Sequence, residues 1–299
     1  MGHAAWGGGR VMRAPRSTRV AWCVLALLGL AAIVLGVLGG GSDVWHVEVS
    51  QAGSEPAAAP EHAGPPADAP PKVKTTLSTE PAYFVDARRR MVDRQLRTRD
   101  ITDERVLSVM GRVPRHRFVP GTLQDEAYDD HPLPIGHSQT ISQPYIVALM
   151  TQLARPQGQH RALDIGTGSG YQAAILAELC KEVYSIEIVE PLAQEAKKRL
   201  EDLGYKNITV RSGDGYRGWV EHAPFDLIIV AAAPDHVPQP LLDQLAPGGR
   251  LVLPVGGYPQ ELVVVEKQKD GTIRRRNVAP VMFVPMTGEA QGRPESSAR

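Results

Sequence analysis

Four stretches of this chain carry residues capable of chemistry at informative spacings. In Ala162-Leu163-Asp164-Ile165-Gly166-Thr167-Gly168-Ser169-Gly170 an apolar run leads into a carboxylate and then into three glycines at alternate positions. Glycines let a backbone turn sharply and approach a ligand that a Cβ would exclude. A strand, a glycine turn and a helix from Tyr171 to about residue 180 form the nucleotide end of an α/β sheet. A dinucleotide fingerprint needs G-x-G-x-x-G/A, and counted from Gly166 its third small residue would be Tyr171. The spacing here is instead D-x-G-x-G-x-G, which disfavours a nicotinamide dinucleotide. The plain alternative is a glycine turn with no ligand. Glu187 ends a second apolar run, residues 182–187, and lies 21 residues after Gly166. That is near the ~20 expected of an acid that accepts hydrogen bonds from ribose hydroxyls. Elsewhere a Glu at a strand end is a solvated charge.

Asp214 sits in Gly213-Asp214-Gly215 after a short strand at 207–211, where Asp and Gly also suit an ordinary turn. The fourth stretch is Gln139-Thr140-Ile141-Ser142-Gln143-Pro144. Ser142 precedes Pro144 and an apolar helix reaching about residue 153, an N-cap arrangement. A hydroxyl at a helix N-terminus, with exposed backbone amides, suits an anionic carboxylate.

These groups need a frame. The apolar run at 225–230 reads as a buried parallel strand. Residues 191–203 read as a helix with Pro191 in its first turn and Gly204 as a stop. Pro247-Gly248-Gly249 turns into a strand at 250–254. Residues 261–267 and 272–284 flank Lys269-Asp270-Gly271 as a hairpin. Alternating strands and helices closed by a hairpin give an α/β fold, a mostly parallel sheet with an antiparallel C-terminal edge.

The glycine pattern resembles motif I of the class I S-adenosylmethionine-dependent methyltransferases, which have a Rossmann-like fold. The span from Phe84 to Thr287 more closely resembles the protein-L-isoaspartate (D-aspartate) O-methyltransferase family. The likeness rests on Val113-Pro114-Arg115, Gln139 to Pro144, Gly166 to Tyr171, Gly213-Asp214-Gly215 and Phe283-Val284-Pro285. The Gln-Thr-Ile-Ser-Gln-Pro run is its most specific part. The chain departs from the family's Gly-Gln-Gly at Gly136-His137-Ser138. The resemblance implies S-adenosyl-L-methionine as methyl donor, held by Asp164, Gly166, Thr167, Gly168, Gly170, Glu187 and Asp214. Asp214 would accept from the adenine amino group. Thr140, Ile141 and Ser142 would bind the substrate, with Ser142 as the catalytic hydroxyl beside the transferable methyl group.

The implied reaction methylates the free α-carboxylate of L-isoaspartyl residues in age-damaged proteins. The ester then cyclises to a succinimide that reopens partly as normal aspartate, so damage is repaired. A carboxylate with a reference pKa near ~3.5 is already ionised at neutral pH and needs no general base. Catalysis then rests on alignment of nucleophile and methyl group. A flexible peptide acceptor implies an open groove near Ser142. No metal is implied: the nine histidines have no close paired spacing, and His131, His137 and His236 read as loop residues. The rivals are a methyltransferase of this fold with another carboxylate or small-molecule acceptor, and a membrane-tethered binding module without turnover.

The 299 residues carry 33 basic and 33 acidic side chains, which gives no argument for nucleic-acid binding. Arg274-Arg275-Arg276 reads as a solvated strand face, and Cys180 as a small core residue. Four arginines in residues 1–19 precede an uncharged apolar stretch at 20–42. Its 23 residues exceed a signal core of ~7–15 and match the ~20 that span a bilayer. The stretch reads as an uncleaved anchor, with a cleaved signal as the alternative. Seven prolines follow between 51 and 81, so 43–82 reads as a linker, 83–288 as the methyltransferase domain and 289–299 as a disordered tail. The family resemblance implies a cytoplasmic enzyme, whereas the anchor implies an inner-membrane or exported one. A translation start at Met91 would remove the anchor. Oligomeric state is left open.

Overall fold

The computed structural model describes residues 80–291. The basic segment, the anchor or signal at 20–42, the linker up to residue 79 and the tail from 292 lie outside the described residues. Helices α1 (Ala82–Met91) and α2 (Glu104–Met110) come first. A short hairpin, β1 (Leu133–Gly136) and β2 (Gln139–Ile141), then leads into α3 (Pro144–Ala154). The nucleotide-binding half follows as β3 (Arg161–Ile165), α4 (Tyr171–Ala177), β4 (Glu182–Glu187), α5 (Glu190–Asp202) and β5 (Ile208–Ser212). The chain closes with β6 (Phe225–Val230), α6 (Gln239–Asp243), β7 (Leu245–Val255), β8 (Gln260–Lys267) and β9 (Ile273–Val281).

The large sheet has the order β5-β4-β3-β6-β7-β8-β9. Its first five strands are parallel, and β8 runs antiparallel to both neighbours. The expected Rossmann-like sheet with an antiparallel C-terminal edge is therefore the observed one. Strand β6 lies between β3 and β7 and buries five of its six residues, as an unbroken apolar run should. Helices and loops cover both faces: Val147, Ile175 and Val264 share one core, and Leu163, Ile228 and Leu251 share the other. From β3 the chain steps outward to β4 and β5, then returns to β6 on the other side of β3. That reversal opens a crevice beyond the C-terminal ends of β3 and β6, where ligands of such sheets bind.

Some sequence expectations shift. Helix α4 ends at Ala177, three residues short of the expected end, and Cys180 closes the following turn fully buried. Pro247-Gly248-Gly249 lies within β7, where the register slips between Leu245 and Arg250. Glu289 and Ala290, placed in the tail by sequence, belong to a helical turn (Gly288–Gln291), and Ala290 is buried. Arg274, Arg275 and Arg276 are exposed along β9, as expected.

Candidate active site

The glycine loop leaves β3 at the crevice. Gly166, Gly168 and Gly170 have φ of 87°, 52° and 91°, a region that side chains rarely adopt. A Cβ on Gly168 would also come within 3.2 Å of Ile135, so the β1–β2 hairpin lies directly against the loop. The loop is tied to β4 by bonds from the Gly166 and Thr167 amides to the Ile186 carbonyl. The Glu187 carboxylate accepts from the amides of Gly168 at 2.7 Å and Val189 at 3.0 Å.

Two neighbouring clefts share this loop. The larger has about 620 Å³ of unfilled space, counted out into solvent, and is walled by Gly166, Gly168, Glu187, Gly215, Ala231 and Met286 among others. The smaller, about 400 Å³, is walled by Thr140, Ile141, Ser142, Thr167, Tyr171 and Gln172 among others. Thr140, Gly166, Gly168 and Ala231 line both. A wider, more open hollow of about 1160 Å³ lies around His160, Asp226 and Arg250, at the opposite ends of β3 and β6. Asp226 there already accepts from the Arg161 amide, and Glu266 pairs with Arg250. That hollow is far from the glycine loop, so size alone does not mark the site.

Asp164 is completely buried at the end of β3. Its Oδ2 accepts from the Ser185 hydroxyl at 2.7 Å, and Ser185 Oγ lies 2.6 Å from Thr167 Oγ1. Its Oδ1 has no hydrogen-bond partner. Burial, joined by the charge of Glu187, raises the Asp164 carboxyl to about 7, against the opposing bond from Ser185. A buried carboxylate with one unsatisfied oxygen beside a glycine cradle is the environment that a cationic ligand group would satisfy. The residues present thus fit a ligand carrying a positive charge.

Asp214 is placed differently. Its Oδ1 accepts from the Tyr216 amide and its Oδ2 from the Glu289 amide, at 2.9 and 2.8 Å. The larger cleft is lined at this point by Gly215, where a Cβ would come 2.3 Å from Ile165 Cγ2.

The acceptor segment shows one correction. Gln143, not Ser142, is the N-cap of α3, and neither side chain caps it. The Tyr145 amide donates instead to Asp130 Oδ1 at 3.0 Å, a carboxylate from the loop before β1. The Ser142 hydroxyl is thereby left without a partner among the described residues, beside the smaller cleft. Ile141 lines that cleft while its side chain belongs to the core, and Thr140 is exposed. The hairpin tip reaches its turn without the family's second glycine: His137 and Ser138 hold φ of 50° and 58°.

Sequence reasoning gave no role to Ser185 or Arg115. Ser185 stands two residues before Glu187 on β4, and strand alternation would have put both on one face. Arg115 is fully buried; it donates to the Ala127 carbonyl and the Ser142 carbonyl, both at 2.7 Å. Among the described residues, no group of three or more His, Cys, Asp or Glu side chains could hold a metal ion.

The model of the family described as protein-L-isoaspartate(D-aspartate) O-methyltransferase matches residues 87–291. The chain belongs to this family. A protein-L-isoaspartate O-methyltransferase 2 from a Polaromonas species is 59% identical over 189 residues, covering 62% of this chain and 90% of the relative. A protein-L-isoaspartate O-methyltransferase from Gloeobacter violaceus is 55% identical over 201 residues, covering 67% of this chain and 98% of the relative. Among solved structures, a protein-L-isoaspartate O-methyltransferase superposes with a TM-score of 0.62 at 27% identity, over 68% of this chain and 67% of that one. Another of that description, from Plasmodium falciparum in complex with S-adenosyl-L-homocysteine, gives 0.59 at 26% identity, over 67% and 98%. The family match covers the glycine loop and the acceptor segment together.

Proposed function

We propose that this chain transfers a methyl group from S-adenosyl-L-methionine to the free carboxylate of L-isoaspartyl residues in damaged proteins, the step that initiates repair through a succinimide. The observation that carries the reading is the shared wall: Thr140, Gly166, Gly168 and Ala231 border both clefts, so a donor in one faces an acceptor in the other. When bound, the cofactor supplies an electrophilic methyl group on a positively charged sulfur that leaves as a neutral thioether.

Each residue then has a task. Gly166, Gly168 and Gly170 give the backbone its close approach, and Thr167 ties the loop to Ser185. Glu187 keeps unused lone pairs on both oxygens, after accepting one amide on each, and receives the ribose hydroxyls. Asp164 offers its unsatisfied Oδ1 to the cationic end of the methionine part. Asp214 has acceptor capacity left for the adenine amino group once its two backbone bonds are made. Thr140 and Ile141 carry the acceptor segment past the donor, and the Ser142 hydroxyl orients the acceptor carboxylate. No residue removes a proton, because the acceptor is already ionised. Alignment supplies most of the rate.

No described helix is long and apolar enough to cross a membrane. Family membership favours a domain that works in the cytoplasm, where its cofactor is made, whereas a spanning anchor at residues 20–42 would put it outside. Cell fractionation probed with an antibody to the domain tests this; the enzyme in the exported fraction would overturn it. For the cofactor reading, calorimetric titration with S-adenosyl-L-homocysteine compares wild type with Glu187→Ala. Loss of the charged-group hydrogen bonding to the ribose should weaken binding by at least about 1.5–3 kcal/mol, the worth of one such bond. Equal affinity would remove Glu187 from the ribose site.

A further inference from the structure

Arg115 is a buried charge that the reaction has not yet used. Its side chain is entirely buried. Nε donates to the Ala127 carbonyl and Nη2 to the Ser142 carbonyl, while Nη1 has no hydrogen-bond partner. The guanidinium lies over the Tyr171 ring, 4.9 Å from its centre. Among the described residues no carboxylate lies within ion-pair distance of it. The nearby carboxylate, Asp130, is taken by Arg99 at 3.0 Å and by the Tyr145 amide. Burial lowers the guanidinium to about 10, so it stays charged at neutral pH. A buried cation without a counter-ion is strongly unfavourable unless something compensates it.

One of the two carbonyl bonds of Arg115 runs to the acceptor segment itself. Ser142, whose carbonyl Arg115 holds, lines the smaller cleft, and so does Tyr171, on which Arg115 lies. The eleven-residue α3 begins two residues after Ser142, and its N-terminus adds positive potential at the same place. We propose that Arg115 is the buried charge that makes this pocket select an anionic acceptor. It does so as a positioning residue, through the Ser142 segment and without touching the substrate. This rests on the reading of the acceptor as a free carboxylate. The substrate class favoured is then any exposed main-chain-like carboxylate with a flexible approach, and a neutral amide of the same shape is rejected.

The test measures a ratio that structural damage would not move. Two capped peptides are used, one with L-isoaspartate and one with L-isoasparagine, in which the α-carboxylate is a carboxamide. Their affinities for the full chain are measured with S-adenosyl-L-homocysteine present, for wild type, Arg115→Met and Arg115→Lys. Wild type should prefer the carboxylate. In Arg115→Met the preference should fall roughly tenfold or more, the effect of removing a unit charge within about 10 Å at an effective dielectric of about 20. Affinity for S-adenosyl-L-homocysteine should stay within about twofold, since the hydrogen bonds of Arg115 run to the Ala127 and Ser142 carbonyls and not to the glycine loop, Asp164 or Glu187.

Arg115→Lys gives a second readout should the methionine variant not fold. A buried lysine loses its proton more readily than an arginine, so its preference should decay between pH 7 and 9.5 while that of wild type persists. The groups packed around Arg115 leave that window clear: burial raises the Tyr171 and Tyr128 hydroxyls, and Asp130 is paired with Arg99. Both peptides weakening equally, or a lysine preference flat with pH, would overturn the proposal. Absence of any carboxylate preference or methylation in wild type would overturn the acceptor reading itself, so the two failures are distinguishable.

Discussion

Asp164→Asn should change how stability depends on pH, and the size of the effect follows from burial. In the fold the Asp164 carboxyl titrates near 7 rather than at its ordinary 3.8. The ionised form is therefore disfavoured in the native state. The stabilisation of the protonated form is fully present below about pH 4 and is lost as pH rises through 7. The rise from 3.8 to about 7 corresponds to roughly 4 kcal/mol. Asparagine keeps the shape and cannot ionise. The stability of Asp164→Asn relative to wild type should rise with pH, by up to roughly 4 kcal/mol between pH 4 and 8. At 2–4 °C per kcal/mol, the variant's melting temperature would gain up to about 8–16 °C on wild type.

Urea titrations of both proteins across that range measure the difference directly. A difference constant with pH would refute the reasoning, because it would mean that Asp164 titrates in the fold as it does in the unfolded chain. On the proposed cofactor reading, saturating S-adenosyl-L-homocysteine brings its ammonium group to the unsatisfied Oδ1. With it bound, the wild-type penalty above pH 7 should shrink. An unchanged slope would place the ligand's cation elsewhere.

Other substitutions separate the parts of the site. Ser142→Ala should lower turnover on isoaspartyl peptide about tenfold or more, as loss of a charge-assisted hydrogen bond does, with cofactor affinity unchanged; equal turnover by radiolabel assay would remove Ser142 from the mechanism. Gly215→Ala forces a Cβ to 2.3 Å from the buried Ile165 side chain. It should cost about 1–3 kcal/mol in urea unfolding and weaken cofactor binding, since Gly215 lines the larger cleft. A variant as stable as wild type would show that Ile165 can give way.

The parts legible in the sequence were those encoded locally. Strand 225–230 appears at its expected bounds, because a continuous apolar run bounded by turn residues has one reading. The glycine loop and Glu187 follow from spacing along one β-α-β unit, and the loop joins Glu187 through the Gly168 amide. What the sequence hid depends on distant segments. Ser142 looked like a helix cap because Ser before Pro usually is one; Asp130, fifteen residues before Tyr145, reaches its amide instead. Arg115 lay in a noted motif, yet its full burial comes from Ala127, Ser142 and Tyr171 meeting around it. Asp214 carried the pattern of a ligand contact, and the pattern could not show that Glu289 would bond to it from the far end of the domain.

The most direct test uses the purified protein with radiolabelled S-adenosyl-L-methionine and two peptides that differ at one position. One carries L-isoaspartate and the other normal aspartate. The account predicts base-labile methylation of the isoaspartyl peptide alone. Tight cofactor binding with no transfer to either peptide, or equal transfer to both, would contradict it.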